Sequence, residues 1–166
     1  VRVFLKNFFP MFTGWADIAQ VVAIITMTAG NIIAINQEDI KRMLGYSSIA
    51  QAGYILIGFV VGTSLGIQAV MYYLLAYVLM NIGAFGCVVL VSNSIKSDHI
   101  EEYSGLSKRE PVLAFILTVF LLSLAGIPPL AGFFGKFLVF AAAIQSKYYL
   151  LAVAGVVNSV IAVFYY

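Results

Sequence analysis

Long apolar runs separated by short polar turns make up most of the chain. The runs predict helical membrane spans at about residues 16–35, 40–61 and 67–91, because a helix needs about 20 apolar residues to cross a bilayer. Another apolar run, at about 150–166, predicts a further, incomplete span. In the first polar turn, Asn36 is expected to cap the second helix. The predicted fold class is all-α, a bundle of membrane-spanning helices.

A stretch rich in glycine and proline interrupts the apolar run of residues 112–144. A continuous helix of that length would reach roughly 50 Å at about 1.5 Å per residue, whereas a bilayer core is about 30 Å thick. The pieces on either side of the interruption are each too short to cross alone. The run therefore predicts one discontinuous span. The residues that break it are Gly126, Pro128, Pro129 and Gly132.

The break should expose polar backbone inside the membrane. Proline has no N–H, so Pro128 and Pro129 are expected to free the carbonyl groups near Leu124 and Ala125. Such backbone is stable at membrane depth only where it is buried in protein or lines a water-filled cavity, so the turn is expected to face the protein interior. Lys136 is the only charged residue of the run. A lysine at that depth is a candidate functional group; the alternative is that its side chain reaches a membrane interface.

Two polar stripes run along the second and third predicted spans. Their members recur every three or four residues, so each stripe occupies one face of its helix. Such stripes either line a hydrated path or hold helices together, and the sequence leaves both interpretations open. The stripes are Ser47, Ser48, Gln51 and Tyr54 on the second span, and Tyr73, Tyr77 and Asn81 on the third.

Composition agrees with a membrane protein and excludes several other classes. The chain is 63% hydrophobic and 10% charged, whereas soluble proteins are about 45–50% apolar and about 25% charged. A net charge of +2 is too small to indicate nucleic-acid binding. Cys87 is the only cysteine, and His99 lies in no metal-binding spacing. With no cysteine cluster and no glycine-rich phosphate loop, the chain is not expected to bind NADH, flavin or iron–sulfur centres.

One long hydrophilic segment, residues 92–110, connects the third span to the broken span. Alternating spans place it on the same side as Lys41 and Arg42, with five basic residues against three on the other side, which include Arg2 and Lys6. The positive-inside rule therefore predicts that this side is cytoplasmic. The segment's apolar residues recur every three positions and predict a short amphipathic helix on the membrane surface. They are Ile100, Tyr103 and Leu106.

Two long motifs resemble the antiporter-like membrane subunits of respiratory complex I, the NADH:quinone oxidoreductase. They are DIKRMLGYSSIAQAGY at 39–54 and LSLAGIPPLAGFFGK at 122–136. A third, NIGAFG at 81–86, is similar to one branch of that family, which comprises bacterial subunit N, mitochondrial subunit 2 and their plastid and cyanobacterial counterparts. The resemblance covers essentially the whole chain. It implies the C-terminal half of a longer subunit built from inverted repeats.

The resemblance also implies a function. Lys136 matches the family's lysine on the broken helix, which is assigned to the proton route. Burial disfavours the charged form of a lysine and an approaching carboxylate or water restores it, so such a group can load and release a proton. Proton transfer would be driven by quinone reduction elsewhere in the complex. The expected hydrated path is lined by Tyr73, Tyr77, Asn81, Ser47 and Ser48.

The implied setting is the inner (plasma) membrane, crossed several times. The implied partners are other membrane-arm subunits of complex I, including other antiporter-like subunits, and the lipid bilayer. NADH, FMN, iron–sulfur clusters and quinone would bind other subunits. Two alternatives remain: a cation/proton antiporter subunit of the same superfamily, or a purely structural subunit in which Lys136 is paired with a buried acid.

Overall fold

The computed structural model describes residues 12–166, with side chains from Trp15 onward. This part of the chain is helical and contains no strand, which confirms the all-α class. Two expectations for the first residues, the sides of Arg2 and Lys6, lie outside the described range. The helices are α1 (Phe12–Ile35), α2 (Ile40–Val61), α3 (Ser64–Ile95), α4 (Leu106–Arg109), α5 (Pro111–Ala125), α6 (Ala131–Gln145) and α7 (Tyr149–Tyr165), with a 3₁₀ turn at Ile100–Tyr103.

Within residues 12–166, three helices are long and apolar enough to cross a membrane by length and composition: α1 from Trp15, α2 and α3. The helices α5 and α6 have 15 residues each. At about 1.5 Å per residue, each is roughly 22 Å long, shorter than a bilayer core of about 30 Å. Together they make the one discontinuous helix that the sequence predicted.

Capping residues explain where α2 begins and ends. Asp39, and not Asn36 as predicted, is its N-cap, because the Asp39 carboxylate accepts a hydrogen bond from the Arg42 amide (3.0 Å). Asn36 instead donates to the carbonyl oxygen of Ile32 in the last turn of α1 (2.9 Å). At the other end, Gly62 takes the left-handed conformation (φ 63°) that commonly terminates a helix.

The apolar core consists of two clusters stacked along the bundle. One joins α1, α2, α3, α6 and α7 near the α2–α3 turn, and the other joins α2, α3, α4 and α5 near the α1–α2 turn. Large apolar side chains on the outer faces stay exposed, as lipid-facing residues do; Ile82 is 68% exposed. The candidate site lies between the two clusters.

The segment that follows α3, residues 96–110, is called the connector here. It does not form the single amphipathic helix that the sequence predicted. The chain turns at Gly105, in the left-handed conformation (φ 75°), so the 3₁₀ turn and α4 are separate. Leu106 is buried in the protein core, whereas Ile100 remains exposed and Tyr103 is half-buried. The prediction failed because the segment pairs with another loop instead of lying on the surface as one helix.

The connector is held against the α1–α2 turn. The Ile40 amide donates to the Asp98 carbonyl (3.0 Å), and the Ile100 amide donates to the Glu38 carbonyl (2.9 Å). Lys41 Nζ lies 2.6 Å from the Asp98 carboxylate, and the hydrogen bond from Lys41 lowers the pKa of Asp98. The two loops therefore lie at the same end of the bundle.

Candidate functional site

The break lies between Ala125 and Ala131, where the sequence predicted it. Gly126 ends α5 in a left-handed conformation (φ 90°), and its amide donates back to the Leu122 and Ser123 carbonyls (both 3.1 Å). The first turn of α6 then lies directly beside the last turn of α5. The Gly132 amide donates to Ser123 Oγ (3.2 Å), and a Cβ on Gly132 would overlap the Ser123 carbonyl oxygen.

Only one side of the break faces the protein interior. Gly132 is buried, but Pro128 and Pro129 are exposed on the surface of the chain. The described residues therefore cover Gly132 and leave both prolines uncovered, and the expectation that the whole turn faces inward stays a prediction for the prolines. A proline has no N–H to satisfy, so its exposure leaves no donor unpaired, whereas the freed carbonyl groups need partners.

Lys136 supplies those partners. Its side chain is 3% exposed, so it does not reach an interface. Nζ donates to the carbonyl oxygens of Ala125 (2.9 Å) and Leu124 (3.0 Å) and to Ser159 Oγ (3.2 Å). It also lies 4.8 Å from the centre of the Tyr54 ring. Each of the three N–H bonds of a charged ammonium thus has an acceptor, and the ring adds an attractive cation–π contact.

The electrostatic surroundings of Lys136 are neutral dipoles. Its two carbonyl partners belong to the last turn of α5, the negative end of that helix dipole. No carboxylate contacts it among residues 15–166, where the one ion pair is Lys41 with Asp98. Among the buried side chains of the same range, Lys136 is the only one of an ionic type. The site can therefore hold one positive charge, and nothing in it fixes that charge by a permanent counter-ion.

Gln51 connects the lysine to the third helix. Its buried side chain donates through Nε2 to the Leu124 carbonyl (3.1 Å), the same oxygen that accepts from Lys136. Its Oε1 accepts a hydrogen bond from the Tyr73 hydroxyl. Gly135 permits this approach, because a Cβ there would overlap the Tyr73 ring. Since Gln51 lies near the middle of α2, the site is near the middle of that span.

The other predicted path residues are not joined to the lysine. Ser47 and Ser48 both donate to the Leu44 carbonyl of their own helix (2.7 and 2.9 Å). Tyr77 and Asn81 are half-buried further along α3. Over the described residues, no hydrogen bond links either of them to Lys136. The structure thus joins Tyr73 to the site through Gln51, whereas the other four residues make no direct hydrogen bond to Lys136 within the described part of the chain.

Three residues near the lysine were missed from the sequence: Asn31 in α1 and Asn158 and Ser159 in α7. Asn31 and Asn158 are buried and hydrogen-bonded to each other (3.0 Å), and Ser159 contacts Lys136 directly. The signal was present, because an amide within an apolar span is uncommon and often joins helices. It was overlooked because these residues form no stripe.

Comparison with known proteins places the chain in a family. Residues 1–162 match the family model described as NADH:quinone oxidoreductase/Mrp antiporter, TM. The chain is 47% identical over 167 residues to NADH-quinone oxidoreductase subunit N of Trichlorobacter lovleyi, covering 100% of the chain and 34% of that protein. It is 51% identical to the chloroplastic NAD(P)H-quinone oxidoreductase subunit 2 of Mesostigma viride, covering 92% of the chain and 30% of that protein. The chain thus spans about a third of the length of these relatives.

Solved structures agree. A chain of respiratory complex I from Thermus thermophilus with bound aureothin matches with a TM-score of 0.76 and 34% identity, covering 90% of this chain and 34% of that one. A chain of the Mrp complex from Dietzia sp. DQ12-45-1b matches with a TM-score of 0.85 and 28% identity, covering 91% of this chain and 28% of that one. The resemblance seen in the sequence motifs is confirmed. The chain belongs to the NADH:quinone oxidoreductase/Mrp antiporter transmembrane family, the antiporter-like membrane subunits.

Proposed function

We propose that this chain is part of a membrane-arm subunit of NADH:quinone oxidoreductase that translocates protons, with Lys136 as the proton carrier. The observation that carries the proposal is a buried lysine held by the carbonyl groups of a broken helix, without a carboxylate partner among the described residues. The assignment to an NADH:quinone oxidoreductase follows from the names of the relatives.

The geometry suits a group that changes its protonation state. The carbonyl groups of Leu124 and Ala125, the Ser159 hydroxyl and the Tyr54 ring all favour the ammonium form. The apolar clusters on either side favour the neutral amine, because burial penalises charge. A small displacement of the two half-helices would shift this balance and release the proton from Nζ.

The proton needs a route on both sides of Lys136. Gln51 and Tyr73 form the nearest hydrogen-bonded connection to α3. We assign the rest of the path to hydroxyl and amide groups linked by water. These are the predicted residues Tyr77, Asn81, Ser47 and Ser48. Moving one charge against about 100 mV costs about 2.3 kcal/mol, which quinone reduction elsewhere in the complex would supply.

The setting proposed is the inner membrane, with the connector and Lys41 on the cytoplasmic side. The contact between the connector and the α1–α2 turn supports a common side for these loops. The partners proposed are the other membrane-arm subunits, and NADH, FMN, iron–sulfur clusters and quinone are assigned to other subunits.

A cation/proton antiporter subunit is the second candidate. The Mrp complex has a closely similar chain, with a TM-score of 0.85. Its sequence identity is 28%, against 47% for the subunit N relative, which favours the oxidoreductase. Co-purification decides between them: the first proposal expects flavin and iron–sulfur subunits with the full-length protein, and the second expects none.

The test of Lys136 uses substitutions in the full-length subunit within its complex. Lys136→Met removes the proton-binding group and should abolish proton uptake by inverted membrane vesicles while the complex still assembles. Lys136→Arg keeps a charge that does not titrate, so uptake should also fall severely. Lys147→Met, at an exposed lysine, is the matched control and should pump normally. Normal pumping by Lys136→Met would refute the carrier role, and a fully active Lys136→Arg would indicate a fixed charge.

A further inference from the structure

A second buried polar group lies beside the lysine, between α1, α2 and α7. Asn31 is at its centre: Nδ2 donates to the side-chain oxygen (3.0 Å) and the main-chain oxygen (3.1 Å) of Asn158. Asn31 Oδ1 accepts from the Tyr165 hydroxyl (2.8 Å). Asn158 in turn donates to Thr28 Oγ1 (3.3 Å). A buried network whose members are all paired selects one arrangement of its helices.

Close packing of α1 does not require these amides. A Cβ on Gly30 would lie 2.5 Å from the Ala50 amide nitrogen, and one on Gly53 would lie 2.8 Å from that of Met27. Small residues of this kind are the usual means of bringing membrane helices together. A buried amide costs free energy unless its polar atoms are paired. The Asn31–Asn158 pair therefore fixes how α1 and α7 are oriented toward each other, which close packing alone does not determine.

The orientation of α1 and α7 affects Lys136 by two routes. Asn31 Nδ2 lies 3.4 Å from the Tyr54 hydroxyl, and the Tyr54 ring contacts Lys136. Asn158 is followed by Ser159, whose hydroxyl accepts from Lys136. Successive side chains of a helix with about 3.6 residues per turn point about 100° apart. Holding Asn158 toward α1 consequently turns Ser159 toward α6.

We infer that Asn31 is a positioning residue for Lys136, which holds Tyr54 and Ser159 against the ammonium group on the side away from the helix break. The inference rests on the proposed function, because it assigns Asn31 an effect on proton transfer through Lys136. Asn31 does not touch Nζ. It acts on the proton carrier through the two side chains that do.

The test is a double-mutant cycle in the full-length subunit within its complex. Asn31→Leu, Ser159→Ala and the double variant are compared for proton uptake per assembled complex. Each single variant should lower uptake on the order of threefold to tenfold, the effect of one lost positioning hydrogen bond. The double variant should match Asn31→Leu alone, because both changes remove the same contact. Thr26→Val is the control, since among the described residues the Thr26 hydroxyl bonds only to the Val22 carbonyl of its own helix (2.7 Å).

Two outcomes would overturn the inference: normal uptake by Asn31→Leu, or single effects that multiply in the double variant, as they do for independent structural changes. Should Asn31→Leu fail to assemble, the double variant Tyr54→Phe with Ser159→Ala takes its place, because it removes the two hydroxyl groups through which Asn31 would act; normal uptake by that variant would equally overturn the inference. Lys136→Met in the same assay separates the two proposals. If Lys136→Met pumps normally, the proposed function fails. If Lys136→Met does not pump but Asn31→Leu pumps normally, only the positioning role of Asn31 fails.

Discussion

The close approach of the two half-helices can be tested by adding a single methyl group. Gly132→Ala would place a Cβ against the main chain of Ser123, overlapping its carbonyl oxygen and lying 2.8 Å from its carbonyl carbon. Met80 Sδ would lie 3.2 Å away on the other side. Because most of this contact is with backbone, no side-chain rotation relieves it.

The required displacement can be worked out from these distances. The tightest contact is with the Ser123 carbonyl oxygen. Non-bonded carbon and oxygen atoms lie about 3.3–3.6 Å apart, so α5 and α6 must separate by roughly 1.5 Å or more. The hydrogen bonds from Lys136 to the Ala125 and Leu124 carbonyls, now 2.9 and 3.0 Å, would then exceed hydrogen-bonding range. Overpacking of this kind costs about 1–3 kcal/mol in stability, and a displacement of about 1 Å at a reacting group can cost about 100-fold in rate.

We therefore expect Gly132→Ala to assemble in reduced amount and to lower proton uptake per assembled complex by roughly 10- to 100-fold. The assay is dye-monitored proton uptake by inverted vesicles, normalised to the complex detected on native gels. Gly86→Ala is the matched control, because a Cβ on Gly86 meets no atom within 4 Å in the described part of the chain outside the adjoining backbone of its own helix. Wild-type pumping by Gly132→Ala would show that docking of Lys136 on the carbonyl groups does not limit proton transfer.

Two further predictions concern the neighbours of the site and the connector. Gln51→Leu nearly keeps the side-chain volume but removes the hydrogen bond to the Leu124 carbonyl and leaves the Tyr73 hydroxyl without its acceptor. Proton uptake should therefore fall roughly threefold to tenfold. An unchanged rate of uptake would exclude Gln51 and Tyr73 from the path. Asp98→Asn should speed hydrogen exchange of the Ile40 amide, because the ion pair with Lys41 holds the connector in place. Since that pairing lowers the pKa of Asp98, the difference in Ile40 exchange rate between Asp98→Asn and wild type should persist at neutral pH and disappear only below about pH 3.9. Equal exchange rates at neutral pH would contradict the prediction.

The break and its lysine were predictable because the governing rules are local. The length of an apolar run can be compared with the bilayer thickness, and a proline lacks an N–H wherever it occurs. These rules placed the break between Ala125 and Ala131 and anticipated free carbonyl groups at Leu124 and Ala125. They did not anticipate that Lys136 itself would bind those carbonyl groups, because that depends on how α6 folds back beside α5.

The polar stripes show where local reasoning stops. Spacing correctly places Ser48 and Gln51 on one face of α2, but it does not reveal which neighbour that face meets or at what depth. Ser48 bonds to its own helix, whereas Gln51 bonds to the Leu124 carbonyl. The prediction for the connector failed for the same reason, since its pairing partner, the α1–α2 turn, is distant in sequence.

Residue types and run lengths alone establish a membrane-embedded helical chain, the positions of its helices and the one lysine within a broken span. Tertiary packing decides which polar groups surround that lysine. Gln51 and Leu124 are 73 positions apart and Asn31 and Asn158 are 127 apart, so their meeting depends on the rotation and depth of whole helices. No local pattern encodes those quantities, because they come from the summed contacts of every helix pair in the bundle.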